Sequence, residues 1–221
     1  MFDFLDGYDL LGAFWVTVQL TVCSALGSLI WGTLLAGMKV SPVPLMRGFA
    51  TGYVNVVRNI PLTVVIMFSS LGLFSTLNVK LGGSDFTSIN FRLAVLSLVV
   101  YTSSFVCEAL RSGINTVPVG QAEAARALGL SFIQVLRLII LPQAFRSVVN
   151  PLSNVLIALT KNTTVASAIG VAEASYLMKG MIEKEAQLLL ISAVFAFGFI
   201  VLTLPTGLIL GWVSKKVAVK R

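Results

Sequence analysis

The chain has 221 residues and a mean hydropathy of +0.93; 57% of its residues are hydrophobic and only 11% are charged. Water-soluble domains carry about a quarter charged residues, so these values exclude that class and predict a protein that crosses a bilayer several times. The chain contains no histidine, which removes histidine-based catalysis and histidine-ligated metal sites. Cys23 and Cys107 lack a metal-like spacing, and we expect no metal site.

Five apolar stretches are long enough to span a membrane, which takes about 20 residues each. They predict an all-α integral membrane fold in one transmembrane domain, residues 1–221, with spans at 10–38, 49–74, 89–110, 147–170 and 186–214. The second stretch is interrupted by Arg58 and the fourth by Lys161. In the first stretch Ser24, Ser28, Gly32 and Ala36 recur every four residues, a pattern that permits close helix packing inside this subunit or against another.

The distribution of positive charge predicts the orientation of the chain. Segments 39–48, 111–146 and 214–221 hold ten of the 16 Lys and Arg residues, whereas the opposite connections hold only Lys80, Lys179 and Lys184. Because cytoplasmic loops are enriched in Lys and Arg, we expect the N-terminus outside and the C-terminus in the cytoplasm. Five spans give the odd number that this orientation requires.

The connection between the third and fourth predicted spans, residues 113–142, has its own helical signals. Pro118 precedes a run of helix formers from Val119 to Leu128, and Gly129 follows it. Glu123 and Arg126 are spaced as an i,i+3 pair. A capping-box pattern, Ser131 to Gln134, predicts a second short helix that ends at Leu141-Pro142.

This connection resembles the cytoplasmic loop of ABC importer permease subunits. The family pattern is E-A-A, three residues, G, nine residues, then I-x-L-P, and it is matched at every fixed position by Glu123-Ala124-Ala125, Gly129 and Ile139-Ile140-Leu141-Pro142. The segments 53–62, 159–164 and 166–170 are similar to motifs of polar amino-acid uptake permeases. Over nearly its whole length the chain most closely resembles the smaller permease subunit of actinobacterial glutamate importers.

The resemblance implies a multi-pass subunit of a bacterial plasma membrane that works by alternating access. It implies four partners: two copies of an ATPase subunit, a second permease, and an extracytoplasmic amino-acid-binding protein; nucleic acid is not among them. The chain has no G-x-x-x-x-G-K-[ST] phosphate loop, so ATP and Mg are expected on the ATPase and no cofactor or catalysis on this chain. The residues implied to couple it to the ATPase are Gly120, Glu123, Ala124, Ala125, Arg126 and Gly129.

Polar residues inside the apolar stretches are candidates for the substrate pathway, because charges in a bilayer are costly. The candidates are Arg58, Asn59, Lys161, Asn162, Thr163 and Thr164. The alternative for Arg58 and Lys161 is pairing inside the protein or a position near a helix end. Glu108 is three residues from Arg111, which favours an internal pair over a gate.

Two further function classes compete with ATP-driven import. A stand-alone secondary transporter or channel would use Arg58, Lys161 and Glu108 as its route, but the sequence shows no inverted repeat. An intramembrane enzyme would need an acid–base pair or metal cluster that the sequence does not offer. The choice of glutamate as the transported amino acid rests on the overall resemblance, so aspartate and glutamine are the alternative cargoes. The sequence alone does not distinguish a homodimer from a heterodimer.

Overall fold

A computed structural model describes residues 7–217, and every regular element in that range is a helix. Asp3, Asp6, Lys220 and Arg221, which entered the charge comparison, lie outside the described residues. The helices are α1 (Leu10–Val40), α2 (Pro44–Asn59), α3 (Leu62–Thr76), α4 (Phe86–Ile114), α5 (Val119–Ala127), α6 (Phe132–Ile169), α7 (Ala174–Glu185) and α8 (Leu188–Val217).

Four of these helices, α1, α4, α6 and α8, are long and apolar enough to cross a membrane. The remaining predicted span, residues 49–74, is not one helix but a bent pair, since α2 and α3 meet at an angle of 101°. Pro61 explains this geometry. It cannot continue a helix, so α2 ends at Asn59 and Pro61 becomes the residue that precedes α3. Residues 49–74 therefore do not form one straight helix.

The prediction of a separate second helix in the 113–142 connection is wrong. The helix that begins after Ser131 does not end at Leu141-Pro142 but continues to Ile169 through a short π-helical segment, Leu136–Ile140. Pro142 lies in the first turn after that segment, where the Gln143 side chain donates to the Ile139 carbonyl at 2.9 Å. At 1.5 Å per residue α6 is about 55 Å long, well beyond the 30 Å thickness of a hydrocarbon core.

The close contact between α1 and α4 organises the bundle. Ser24, Ser28, Gly32 and Ala36 of α1 are all buried, which confirms a packing role for this small-residue pattern and places it within the subunit. α4 is the central helix, since 56% of its most apolar stretch is buried, compared with 28% or less of the corresponding stretches in α1, α6 and α8. Leu93, Ala94 and Leu98 of α4 lie in the largest apolar core.

The connection from α6 to α7 carries a carboxyl group that is fully buried. Glu173 accepts hydrogen bonds from the backbone N–H groups of Ser175 and Tyr176 at 2.9 and 3.0 Å. Burial raises its pKa from the ordinary value of 4.5 to about 7, outweighing these hydrogen bonds and the nearby positive charge of Lys179. Neither this buried carboxyl group nor α7 was predicted from the sequence.

We expect Gly32→Ala to destabilise the protein, because an added Cβ would lie 2.6 Å from the Val106 side chain and 2.9 Å from the Ser103 carbonyl oxygen. Forcing α1 and α4 apart costs about 1–3 kcal/mol. Gly37→Ala in the same helix is the matched control, since no atom lies within 4 Å of its added Cβ. Thermal unfolding in detergent checks both variants, and equal melting temperatures for the two would contradict the close α1–α4 contact.

We expect Glu173→Gln to stabilise the protein at high pH only. The pKa of Glu173 is raised in the folded state, so the folded protein binds more protons between pH 4.5 and about 7, and its stability falls across that window as pH rises. The neutral amide avoids this penalty, which is on the order of 3 kcal/mol above pH 7. Melting temperatures of the two proteins should coincide near pH 4.5 and separate near pH 8; a constant difference would refute the titration.

Candidate functional site

The α5 helix and the turn after it form as predicted, with Pro118 just before the helix. Gly129 has φ +85°, a left-handed conformation that glycine adopts without strain. Its N–H donates to the Arg126 carbonyl at 2.9 Å, and the Leu130 N–H donates to the Ala125 carbonyl at 3.2 Å. This hydrogen-bond pair is the Schellman motif that ends many helices. Immediately afterwards, the capping box of Ser131 and Gln134 starts α6.

Most of the predicted ATPase-coupling residues are on the outside of the protein. Gly120, Glu123, Ala124, Arg126 and Gly129 are exposed, but Ala125 is only 5% exposed. Ala125, one of the residues implied to couple this chain to the ATPase, is therefore packed inside the subunit. The expected Glu123–Arg126 pair is wrong, since these described residues are not within ion-pair distance and Arg126 lies over the Phe132 ring at 6.0 Å.

A polar contact connects α5 to the long helix α6. The side-chain amide of Gln143 in α6 donates to that of Gln121 in α5 at 2.7 Å. Just before α5, the hydroxyls of Thr116 and Ser147 are 2.8 Å apart, which gives a second contact to α6. Two side-chain contacts therefore join α5 and the segment before it to α6.

Four charged side chains from three helices meet at one end of the bundle, and we call them the ion cluster: Lys39 of α1, Arg58 of α2, and Glu108 and Arg111 of α4. Arg111 donates to Glu108 Oε2 at 2.9 Å, Lys39 is paired with Oε1, and Arg58 Nη1 is 4.0 Å from Oε2. The predicted Glu108–Arg111 pair is thus confirmed. Within residues 7–217 these cations have no other carboxylate within 4.0 Å, so the cluster has a formal charge of +2.

A cavity of about 240 Å³ lies between α4 and α6, next to the ion cluster. It is lined by Tyr101, Thr102, Phe105, Asn154, Val155, Ala158 and Asn162. The hydroxyl of Thr102 is buried and has no hydrogen-bond partner, although buried hydroxyls are normally paired. Arg58 lies over the Phe105 ring at 5.2 Å. The cavity therefore has a largely apolar, partly aromatic lining with two amides and a neighbouring cation, which together suit a small solute that carries a polar group.

The structure brings only some of the predicted pathway residues to this cavity. Asn162 lines it and Arg58 lies against its wall. Lys161 is exposed and does not line it, and Asn59 donates to the Asn55 carbonyl of its own helix at 2.7 Å. Thr163 and Thr164 donate to carbonyls one turn earlier, at the point where α6 tightens into a 3-10 helix.

Sequence reasoning missed several residues of the site. The i,i+4 series Asn154, Ala158 and Asn162 places two amides on one face of an apolar helix, and this spacing was the available signal. Thr102 and Phe105 had no comparable signal, because aromatic and hydroxyl side chains are common in membrane helices. In the part of the chain that the structure describes, no three His, Cys, Asp or Glu side chains are placed to hold a metal.

Comparison with known proteins places the chain among transporter subunits. It is 58% identical over 220 residues to the glutamate transport system permease protein GluC of Corynebacterium efficiens. This alignment covers 97% of this chain and 96% of GluC. It is 30% identical to the glutamate/aspartate import permease protein GltK of Escherichia coli, over 92% of this chain and 91% of GltK.

A solved structure shares the fold. The crystal structure of an amino acid ABC transporter with histidines superposes with a TM-score of 0.82 at 26% identity, covering 94% of this chain and 93% of that one. Residues 28–219 match the family model described as binding-protein-dependent transport system inner membrane component. The similarities thus cover both the exposed α5 turn and the cavity, and the chain belongs to the binding-protein-dependent transport system inner membrane component family.

Proposed function

We propose that this chain is a permease subunit of an ATP-driven importer whose cargo is an acidic amino acid, with L-glutamate as the first candidate. The observation that carries this proposal is the cavity between α4 and α6, with the amides of Asn154 and Asn162 in its lining, beside an ion cluster of formal charge +2. Surplus positive charge favours a cargo with two carboxylates. The relatives named for glutamate and for glutamate/aspartate transport support the same class. Aspartate and glutamine are the competing cargoes.

In this proposal the bent pair α2–α3 counts as one of five spans. The N-terminus is outside and the C-terminus and α5 are cytoplasmic, as the Lys and Arg distribution predicts. Two ATPase subunits that bind ATP and Mg contact the exposed face of α5, and a second permease completes the pathway as a heterodimer. An extracytoplasmic binding protein delivers the amino acid to the α7 side. Family membership argues against a stand-alone secondary transporter.

The proposed coupling follows from the α5 contacts. Closure of the ATPase pair on ATP would displace α5, and the Gln121–Gln143 contact would pass that movement to α6. Because α6 is continuous from Phe132 to Ile169, the movement reaches Asn154 and Asn162 at the cavity. Alternating access would then open the cavity to each side of the membrane in turn.

Affinity purification from native membranes, followed by reconstitution in proteoliposomes, tests the proposal. An ATPase with a phosphate loop and a second permease should remain bound, and with the binding protein the complex should take up radiolabelled L-glutamate only when ATP is inside. Unlabelled aspartate and glutamine, added as competitors, rank the three cargoes. Isolation of an intact oligomer without an ATPase, across several mild detergents, would overturn the proposal.

We expect Glu123→Arg to uncouple transport, because it reverses an exposed charge on the face of α5 that contacts the ATPase. ATP-driven uptake should fall by about tenfold or more, in keeping with the loss of a charge-assisted contact, while the helical content stays unchanged. Glu123→Asp is the matched control, since it keeps the negative charge at the same exposed position of α5 and should retain most of the uptake. Equal uptake by the two variants would refute the role of Glu123.

We expect Gly129→Val to uncouple transport and Gly129→Asn to preserve most of it. A β-branched residue resists φ +85° at a cost of about 1–2 kcal/mol, whereas asparagine tolerates the left-handed region. No atom lies within 4 Å of a Cβ at this position, so the two variants differ in backbone strain and not in crowding. ATP-driven uptake is the measurement, and equal activity of the two variants would show that the turn conformation is not needed.

A further inference from the structure

An apolar groove lies between α1, α4 and α6, at the end of the bundle that carries the ion cluster. It is lined by residues of 33–40 in α1, by Leu110 and Ile114 in α4, and by residues of 136–152 in α6. Its volume is about 380 Å³, and eleven of its twelve lining residues have no polar side-chain group. The twelfth is Thr33, whose hydroxyl donates to the Leu29 carbonyl of its own helix at 2.6 Å. An occupant of this groove therefore makes apolar contacts.

The groove is separate from the α4–α6 cavity. Phe105 lines the cavity and Leu110 lines the groove. Five residues of an α-helix turn through about 140°, so these two side chains lie on different faces of α4. On α6 the groove residue Phe145 is 65% exposed, and on α1 Gly37 is exposed. The groove thus opens to the outside of the bundle, where apolar helices meet lipid.

A π-helical turn shapes the α6 wall of the groove. The Leu141 N–H donates to the Leu136 carbonyl, five residues earlier, whereas an α-helix joins residues four apart. This wider turn allows both leucines to line the groove. Residues 136–152 extend about 24 Å along the helix axis, more than the ~15 Å that half a hydrocarbon core measures. An extended acyl chain therefore fits along this wall.

Cations from the same three helices lie at one end of the groove. Lys39 of α1, Arg111 of α4 and Arg137 of α6 are each adjacent in sequence to a groove residue. Lys39 and Arg111 share Glu108. Arg137 is exposed, and among the described residues it has no carboxylate within 4.0 Å. Three positive charges against one negative charge suit an anionic group, and basic pockets between membrane helices bind anionic lipid headgroups.

We propose that this groove is a binding site for one anionic phospholipid. An acyl chain lies along α6 between α1 and α4, and the phosphate of the headgroup lies at the end of the groove, where Arg137 is the cation free to pair with it. Neither half of the site suffices, because the groove by itself accepts any acyl chain and the cations by themselves accept any anion. This lipid site goes beyond the proposed import function and does not depend on the cargo.

Lipid-dependent thermal stability tests the site. The complex of this chain with the subunits that copurify with it is delipidated in a neutral detergent. It is then titrated with phosphatidylglycerol and, separately, with phosphatidylcholine of the same acyl chains. Phosphatidylglycerol should raise Tm saturably, because a ligand that binds the folded state stabilises it. Phosphatidylcholine should need a concentration about fivefold higher or more, since one cation near a membrane surface contributes about that factor.

Gly37→Leu tests the groove, because Gly37 lines it and no atom lies within 4 Å of a Cβ added there. The leucine side chain should fill the groove and remove most of the phosphatidylglycerol effect, and native mass spectrometry should count one fewer retained lipid per chain. Gly48→Leu is the matched control, since Gly48 is equally uncrowded but does not line the groove. If Gly37→Leu does not assemble, Thr33→Phe fills the groove from one turn away.

Arg137→Gln tests the charge. It should weaken phosphatidylglycerol binding about fivefold and leave phosphatidylcholine binding unchanged. Arg137 was chosen over Lys39 and Arg111 because those two cations also hold Glu108 in the bundle.

Three results would overturn the site. These are equal effects of the two lipids, a phosphatidylglycerol effect that persists in both groove-filling variants, and an effect on the isolated full chain that disappears in the complex. The last result would show that the second permease, and not a lipid, covers the groove. None of them bears on import, because uptake is not the measurement.

Discussion

The close approach of α1 and α4 is the contact on which the rest of the bundle depends. In a bilayer, water does not drive helices together, so their association relies on packing that small residues permit. Gly32 and Ala36 let α1 lie directly against α4, and the fully buried residues Leu93 and Leu98 of α4 belong to the largest apolar core. Because of this contact, Lys39 at the end of α1 meets Glu108 near the end of α4. The ion cluster is thus a consequence of how tightly two apolar helices pack.

The ion cluster lowers the free-energy cost of placing charges inside an apolar bundle, because its cations are paired with a carboxylate. Charges within an apolar protein are expensive unless they are paired, and Glu108 provides a partner for cations from α1, α2 and α4. Two of these cations hydrogen-bond to Glu108 and the third lies at 4.0 Å, so the arrangement ties three helices to one carboxylate. The bend at Pro61 contributes, since it ends α2 immediately after Arg58 and lets this side chain reach α4.

The continuity of α6 joins the exposed α5 turn to the helix face that lines the cavity. Gly129 and the Ser131 capping box fix the angle between α5 and α6 through local hydrogen bonds. The contact between Gln121 and Gln143 adds a side-chain restraint between the two helices. The same helix then continues through Pro151 to Asn154 and Asn162 without a break. A short, separate second helix, as the sequence suggested, would have placed a flexible joint in this path.

The sequence by itself determined the membrane class, the apolar stretches, the α5 helix and its glycine turn, because each depends on hydropathy or on contacts between residues a few positions apart. It also identified Arg58 and Asn162 as candidates, since a polar side chain in an apolar stretch is conspicuous. Only the tertiary structure decided that Arg58 shares Glu108 with Lys39, that Thr102 lines a cavity with Asn154, and that Glu173 is buried. These contacts join residues 50 or more positions apart or depend on which face a neighbouring helix covers, and helix packing, not local spacing, sets them.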